Sequence, residues 1–216
     1  MSPSVRTERL NEEDTGFTIH VIQTPFYSRG FWSLILLSHT SSKSVAGLIQ
    51  TDADINLANI FKSTRTLARV FAYHPLLVLV HFFLDHFTAT ANRFTEVLQR
   101  VQKVDQELMR EMRAGSKRQP FGKLSQILHE ARMELAELAR RRTFEKDISR
   151  ILRQDLEKDE KLLNRVAMYS GISKSHDLAL EALPKRIESQ STVVSQSQPK
   201  NRNPAFNLTI PPSSTA

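Results

Sequence analysis

The sequence predicts an α+β fold: a small N-terminal β-sheet followed by long amphipathic helices that form an antiparallel hairpin or coiled coil. Two observations predict it. Apolar or small residues at Val80, Phe83, Phe87, Thr90, Phe94, Val97, Val101, Val104 and Leu108 recur at steps of three and four. Such spacing holds one stripe of a single helix against a partner. Ahead of that stripe lie three short runs of apolar and hydroxylated residues with partial period-two alternation, as at Phe17, Ile19 and Val21, the signature of half-buried strands.

Residues 1–16 are polar, carry Asn11-Glu12-Glu13-Asp14 and Gly16, and read as a flexible N-terminus. A small α/β region, 17–70, comes next. Its strand-like runs are Phe17–Thr24, Phe31–Ser38 and Val45–Thr51, joined by turn-rich links at 25–30 and 40–44, the second short enough for a hairpin. Leu57, Ile60 and Leu67, with Ala58 and Ala68, predict a helix between Asp54 and Val70.

Residues 71–188 form the long helical region. His74-Pro75 opens it, because proline suits a first helical turn, where its missing N–H costs nothing. Continued from Pro75 to Met112, that helix is about 57 Å long at about 1.5 Å per residue. Gly115, Pro120 and Gly122 predict a break near 114–122 and a reversal of the chain. Leu124, Leu128, Ala131, Leu135 and Leu138 then supply a second stripe for the first to bury against. Phe144, Ile148, Leu152, Leu156, Leu163 and Val166 still support helix beyond it, but Arg140-Arg141-Arg142 dislocates the stripe and predicts a stutter or bend. Gly171 predicts a further break, with Ser173 or Ser175 as an N-cap and a short amphipathic piece running through Ile187. Residues 189–216, rich in Ser, Gln, Asn and Pro, read as a disordered tail, which includes the glycosylation pattern Asn207-Leu208-Thr209.

Composition narrows the classes of function. The 216 residues hold one domain, or a small globular part with a helical extension. No cysteine is present, which excludes disulfides, thiolate nucleophiles and cysteine-based metal centres. The net charge of +7 comes from 30 Lys and Arg interleaved with 23 Asp and Glu, a pattern of solvated helix faces. The most apolar stretch, Phe71–Leu84, falls short of the roughly 20 residues a membrane crossing needs. No signal peptide is evident at the N-terminus. The expectation is a cytoplasmic protein, at most peripheral to a membrane through a partner.

Candidate sites are few. His81 and Asp85 share a helix face and are a weak metal pair; His74 lies before them, and His86 points a quarter-turn away. Glu96, Glu107, Glu111, Glu130, Glu134 and Glu137 offer carboxylates, but spread along helix faces rather than gathered at a cleft. Arg140, Arg141, Arg142 and Lys146 form the best candidate for anion contact, assisted by Lys117, Arg118 and Lys123, although no aromatic stacking platform accompanies them. Ser175-His176-Asp177 carries the letters of a catalytic triad, yet neighbours on one helix cannot converge as a triad must. The residues imply neither a catalytic group nor a cofactor.

Three patterns carry a family resemblance: Phe31-Trp32-Ser33-Leu34-Ile35-Leu36-Leu37-Ser38, then His74-Pro75-Leu76-Leu77-Val78-Leu79 opening the long helix, then Arg186-Ile187-Glu188-Ser189-Gln190-Ser191-Thr192-Val193-Val194. In this order, over residues 17–194, the chain resembles the cytosolic region of fungal CorA-like magnesium transporter proteins. The resemblance implies a soluble α/β part and stalk helices that precede two membrane helices and a Gly-Met-Asn type pore signature. The pattern stops after Val194, so the membrane part is expected to be missing. The expected function is a noncatalytic helical scaffold or oligomerisation protein, with no small-molecule substrate evident, that pairs with itself. The alternatives are a truncated transporter subunit bound to a full-length membrane homologue, and a polyanion binder that uses its basic helix patch.

Overall fold

The computed structural model describes residues 5–8, 17–25, 30–39, 42, 44–53, 55–70, 74–114 and 121–197. Four strands, β1 (Val5–Glu8), β2 (Phe17–Gln23), β3 (Trp32–His39) and β4 (Ser44–Thr51), form an antiparallel meander in the order β1-β2-β3-β4. Pairing sets Ile22 opposite Leu34 and Leu34 opposite Ile49, so one face of the sheet turns Ile22, Trp32, Leu34 and Leu36 into the core. β1 corrects the expectation of a wholly flexible 1–16. Its four residues have no apolar run to announce a strand, but they pair with β2 in the register Val5 to Ile22 through Glu8 to Ile19. Ladder hydrogen bonds are made by backbone and read little of the sequence. The rest of that segment lies outside the described residues.

The β2–β3 return is closed from both sides. Thr24 Oγ1 accepts from the Trp32 amide at 2.9 Å and donates to the Trp32 carbonyl at 3.1 Å. One Asp52 carboxylate oxygen accepts the amides of Gly30 and Phe31, both at 2.8 Å. Gly30 holds φ at 80°, a conformation glycine adopts without steric cost.

Four helices follow: α1 (Leu57–Val70), α2 (Leu77–Ala114), α3 (Phe121–Asp155) and α4 (Glu160–Ser197). The starts of α1, α2 and α4 are capped by side chains that satisfy free amides. Asn56 Oδ1 accepts from Asn59, His74 Nδ1 from Leu76, and Asp159 Oδ1 from Leu162. Pro75 precedes the helix by two residues, as its lack of an N–H favours. The link between α2 and α3, where the break was expected, lies at 115–120, outside the described residues.

The long helices form an antiparallel bundle with two apolar centres. Near the sheet, Leu76 and, in α2, Leu77, Leu79, Val80, Phe82 and Phe83 meet Phe144, Ile148 and Leu152 of α3, Leu162 and Val166 of α4, Ile60 of α1 and the inner sheet face. Farther along, Phe94, Val97, Val101, Val104 and Leu108 of α2 meet Leu124, Leu128, Ala131, Leu135 and Leu138 of α3 with Leu183, Ile187 and Val194 of α4. Thus α2 leaves the sheet, α3 returns to it and α4 leaves again. All nine residues of the predicted α2 stripe are buried. The partner is a pair of helices, because α4 closes the side of the hairpin that α3 leaves open. Among the described residues, no helix is long and apolar enough to cross a membrane.

Two interruptions expected from the sequence, at Arg140–Arg142 and at Gly171, do not end a helix. α3 is continuous through Arg140–Arg142, and α4 is continuous through Gly171 and Pro184. Ser173 and Ser175 therefore sit inside α4, each donating back to a carbonyl of its own helix, at Ser170 and Ile172, rather than capping it. Residues 189–197 are helical, with Gln190 and Val194 buried, while 198–216, with Asn207, lie outside the described residues. A helical glycine costs about 1 kcal/mol and a helical proline about 3 kcal/mol relative to alanine. Burying Val166, Leu183, Ile187 and Val194, at about 1.5–3 kcal/mol each, exceeds that sum. Packing overrides local preference along this helix.

Gly171 is exposed, and a methyl group added there would meet no atom within 4 Å. Gly171→Ala is expected to stabilise the chain by about 1 kcal/mol, measured as the midpoint shift in urea unfolding. An unchanged or lowered midpoint would show that α4 is not helical there.

Candidate functional site

Between the two apolar centres the seam changes character. Leu138, Arg141 and Arg142, Glu145 and Ile148 continue the three-and-four stepping along α3, so the arginines lie on the phase of the buried face. The side chain in the stripe is therefore polar, and the helix has no need to bend. Arg141 is 1% exposed and Arg142 4%.

Such groups persist in a core only where other groups replace lost water. Arg141 Nε donates to Thr90 Oγ1 at 3.0 Å, and its Nη2 lies 3.4 Å from His86 Nδ1. Burial, with Arg93 nearby, lowers its guanidinium to about 10. Arg142 donates from Nη1 to Glu145 Oε2 and from Nε to Asp177 Oδ1 at 3.1 Å. Its guanidinium also stands 5.9 Å from the centre of the Phe87 ring, within the range of a cation–π contact. Glu145 Oε1 has no hydrogen-bond partner, with His86 Nε2 3.8 Å away, and burial pushes its carboxyl above the usual range against the pull of Arg142. His86 sits edge-on to Trp32 and Phe144, with ring centres 6.4 and 5.1 Å apart. Burial first, and then Arg141, Arg93 and Arg142, hold its imidazole well below the ordinary value.

Beside this layer a cavity of about 430 Å³ opens between α3 and α4. Phe83 and Phe87 of α2 form its apolar floor, Ser149, Ser170 and Ser173 give it hydroxyls, and Arg142, Lys146, Arg150, Arg153 and Lys174 line it with Glu145 and Asp177. Lys146 Nζ lies 3.0 Å from Asp177 Oδ2. Against the upward pull of its burial, hydrogen bonds from Arg142 and Lys146 bring the Asp177 carboxyl below its usual range.

The four candidate anion contacts are thus divided. Arg141 is committed to Thr90 and the His86 ring in the core, and Arg140 is exposed, with its Nε donating to the Ala136 carbonyl. Only Arg142 and Lys146 reach the cavity, so the four do not make one surface patch. Sequence reasoning missed Arg150, Arg153 and Lys174. The signal was present, since Arg142, Lys146, Arg150 and Arg153 step by four, four and three along one face of α3.

The weak metal pair fares differently. His81 is half-buried, its imidazole lowered by burial and by Arg165, while Asp85 is exposed. Among the described residues, no group of three or more His, Cys, Asp or Glu is gathered to hold a metal ion. The carboxylates of Glu134 and Glu137 serve the bundle instead, pairing with Arg100 and Arg93 across α2 and α3. His176, of the triad-like letters, packs on the Phe94 ring at 5.0 Å, and Asp177 is taken by Arg142 and Lys146.

A histidine held neutral in the folded state binds fewer protons there than in the unfolded chain. Its contribution is complete above about pH 6.5 and is lost as pH falls from there toward the lower folded-state value. Glu145, shifted upward, acts in the opposite sense, so the comparison of wild type with His86→Gln isolates the imidazole. Urea unfolding from pH 7.5 to 5.5 is expected to show wild type losing stability relative to His86→Gln by up to about 1.4 kcal/mol per pH unit. A difference that does not vary with pH would contradict the buried neutral imidazole. No protein family matches the chain, and neither curated proteins nor solved structures give a match.

Proposed function

We propose that the chain is a noncatalytic helical scaffold that assembles with a second copy of itself. The observation that carries this reading is the outer face of the sheet. The Val21–Ile35–Leu48 and Ile19–Leu37–Ala46 rows place apolar side chains side by side across β2, β3 and β4. Phe17, Ile35 and Leu48 are 38%, 41% and 68% exposed. The outward positions of these three strands, alternate residues from Phe17 to Gln23, Ser33 to His39 and Ser44 to Gln50, contain no Asp, Glu, Lys or Arg.

An uncharged apolar face is complementary to its own copy, since no like charges meet across a two-fold axis. The three strands β2–β4, about 4.8 Å apart and about eight residues long at about 3.4 Å each, give a face of roughly 14 by 27 Å. That size is at the low end for specific association and fits a reversible dimer. The α2 stripe takes no part in it. Its residues are buried within the chain, so the seam first expected to recruit a partner is spent on α3 and α4.

The order of elements favours a second reading. A small sheet followed by long stalk-like helices is what the resemblance to CorA-like magnesium transporter proteins implies for a soluble part. In that reading the chain belongs beside a full-length membrane homologue and copurifies with it from detergent. A polyanion-binding role is supported less, because Arg141 and Arg142 are withdrawn from the surface.

Light scattering across micromolar concentrations is expected to give the mass of a dimer at the upper end and a monomer at the lower. Leu48→Asp should shift the chain to monomer with unchanged thermal unfolding, since Leu48 supports no core contact at 68% exposure. A monomer at every concentration, or a dimer indifferent to Leu48→Asp, would reject assembly through this face.

A further inference from the structure

The cavity between α3 and α4 has the composition of a binding site, and it stands independently of the assembly reading. Five cationic side chains line it against two carboxylates. Like charges three or four residues apart on one helix repel, so the Arg142, Lys146, Arg150 and Arg153 ladder opposes folding unless acids offset it. Arg142 and Lys146 are offset by Asp177 and Glu145, and Arg150 by Asp147 at 3.1 Å. Arg153 of α3 and Lys174 of α4 both line the cavity and are exposed, and among the described residues no carboxylate lies within ion-pair distance of either. They sit above serine hydroxyls and a floor of two phenyl rings, in a volume typical of small-molecule sites.

We infer that this cavity binds a small organic phosphate, with its phosphoryl oxygens at Arg153 and Lys174 and its apolar part on Phe83 and Phe87. Several features select this ligand class. Guanidinium and ammonium donors at the mouth match a dianion. Ser149 and Ser170 share one hydrogen bond, which leaves one hydroxyl of the pair to donate, and the aromatic floor would be wasted on inorganic phosphate alone. Arg142, locked to Glu145 and Asp177, fixes the positive end of the floor without moving. A long polyanion is a poorer fit, because Arg142, Lys146 and Arg150 of the ladder are already paired with acids and the rest of the lining includes two phenyl rings.

Calorimetric titration of the full chain with phenyl phosphate, inorganic phosphate and phenol tests the assignment. Phenyl phosphate is expected to bind saturably at one site, at least about fivefold more tightly than inorganic phosphate, with phenol weaker still. The double variant Arg153→Gln/Lys174→Gln changes exposed side chains only. It should weaken phenyl phosphate about tenfold or more with unchanged thermal unfolding. A parallel arm uses phosphatidylcholine vesicles containing phosphatidic acid. Cosedimentation that requires Arg153 and Lys174 would assign the phosphate to a lipid headgroup, and its absence beside phenyl phosphate binding would assign it to a soluble molecule. Absence of saturable binding in both arms, or binding that the double variant leaves intact, would overturn the site.

Discussion

Everything in this fold is arranged around one constraint: a 38-residue helix with a single apolar stripe must keep that stripe out of water over its whole length. The small sheet can cover only the first turns. From Phe94 onward α2 has no sheet beneath it, and the burial of Val97 and Val101 to 0% depends on α3 returning and α4 running out again. Three helices of 38, 35 and 38 residues are thus mutually obligatory. Local preferences yield to this demand, which is why α4 carries a glycine and a proline without breaking.

The polar layer at mid-length interrupts the apolar seam where the sheet gives way to bare bundle. A buried ion pair adds little to stability relative to well-packed apolar residues, but breaking one is costly. Such a layer opposes sliding of one helix along another: a shift of one turn would part Arg142 from Asp177 on α4, and Arg141 from Thr90 on α2. Asp105, with Arg186 and Gln190 of α4 as its partners, marks register again farther out. The cavity between α3 and α4 borders this layer, so its floor and its fixed arginine are set by contacts that also align the helices.

Much of the fold was legible because period carries it. The α2 stripe from Val80 to Leu108 and the α3 stripe from Leu124 to Leu138 could be read directly, as could three of four strands. β1 was hidden, since an edge strand held by backbone pairing needs no apolar pattern. α4 was read as fragments because Gly171 and the polar composition after Ser189 weigh against helix locally, while Leu183, Ile187 and Val194 bury against residues distant in sequence. The arginines misled most. Hydropathy assigns Arg141 and Arg142 to solvent, and only partners from Thr90 to Asp177 make their burial affordable. The cavity lay half in view, with Arg142 and Lys146 noticed as anion contacts and the remaining steps of their ladder overlooked.

The central claim is that α2 is one uninterrupted helix buried from Val80 to Leu108 in the isolated chain. Native-state amide hydrogen exchange tests it most directly, because protection reports the free energy of opening at each residue. The account predicts that the buried amides from Val80 to Leu108 exchange only by global unfolding, with no step at the polar layer. Rapid exchange from Phe94 onward, beside slow exchange near the sheet, would show an open outer bundle and contradict it.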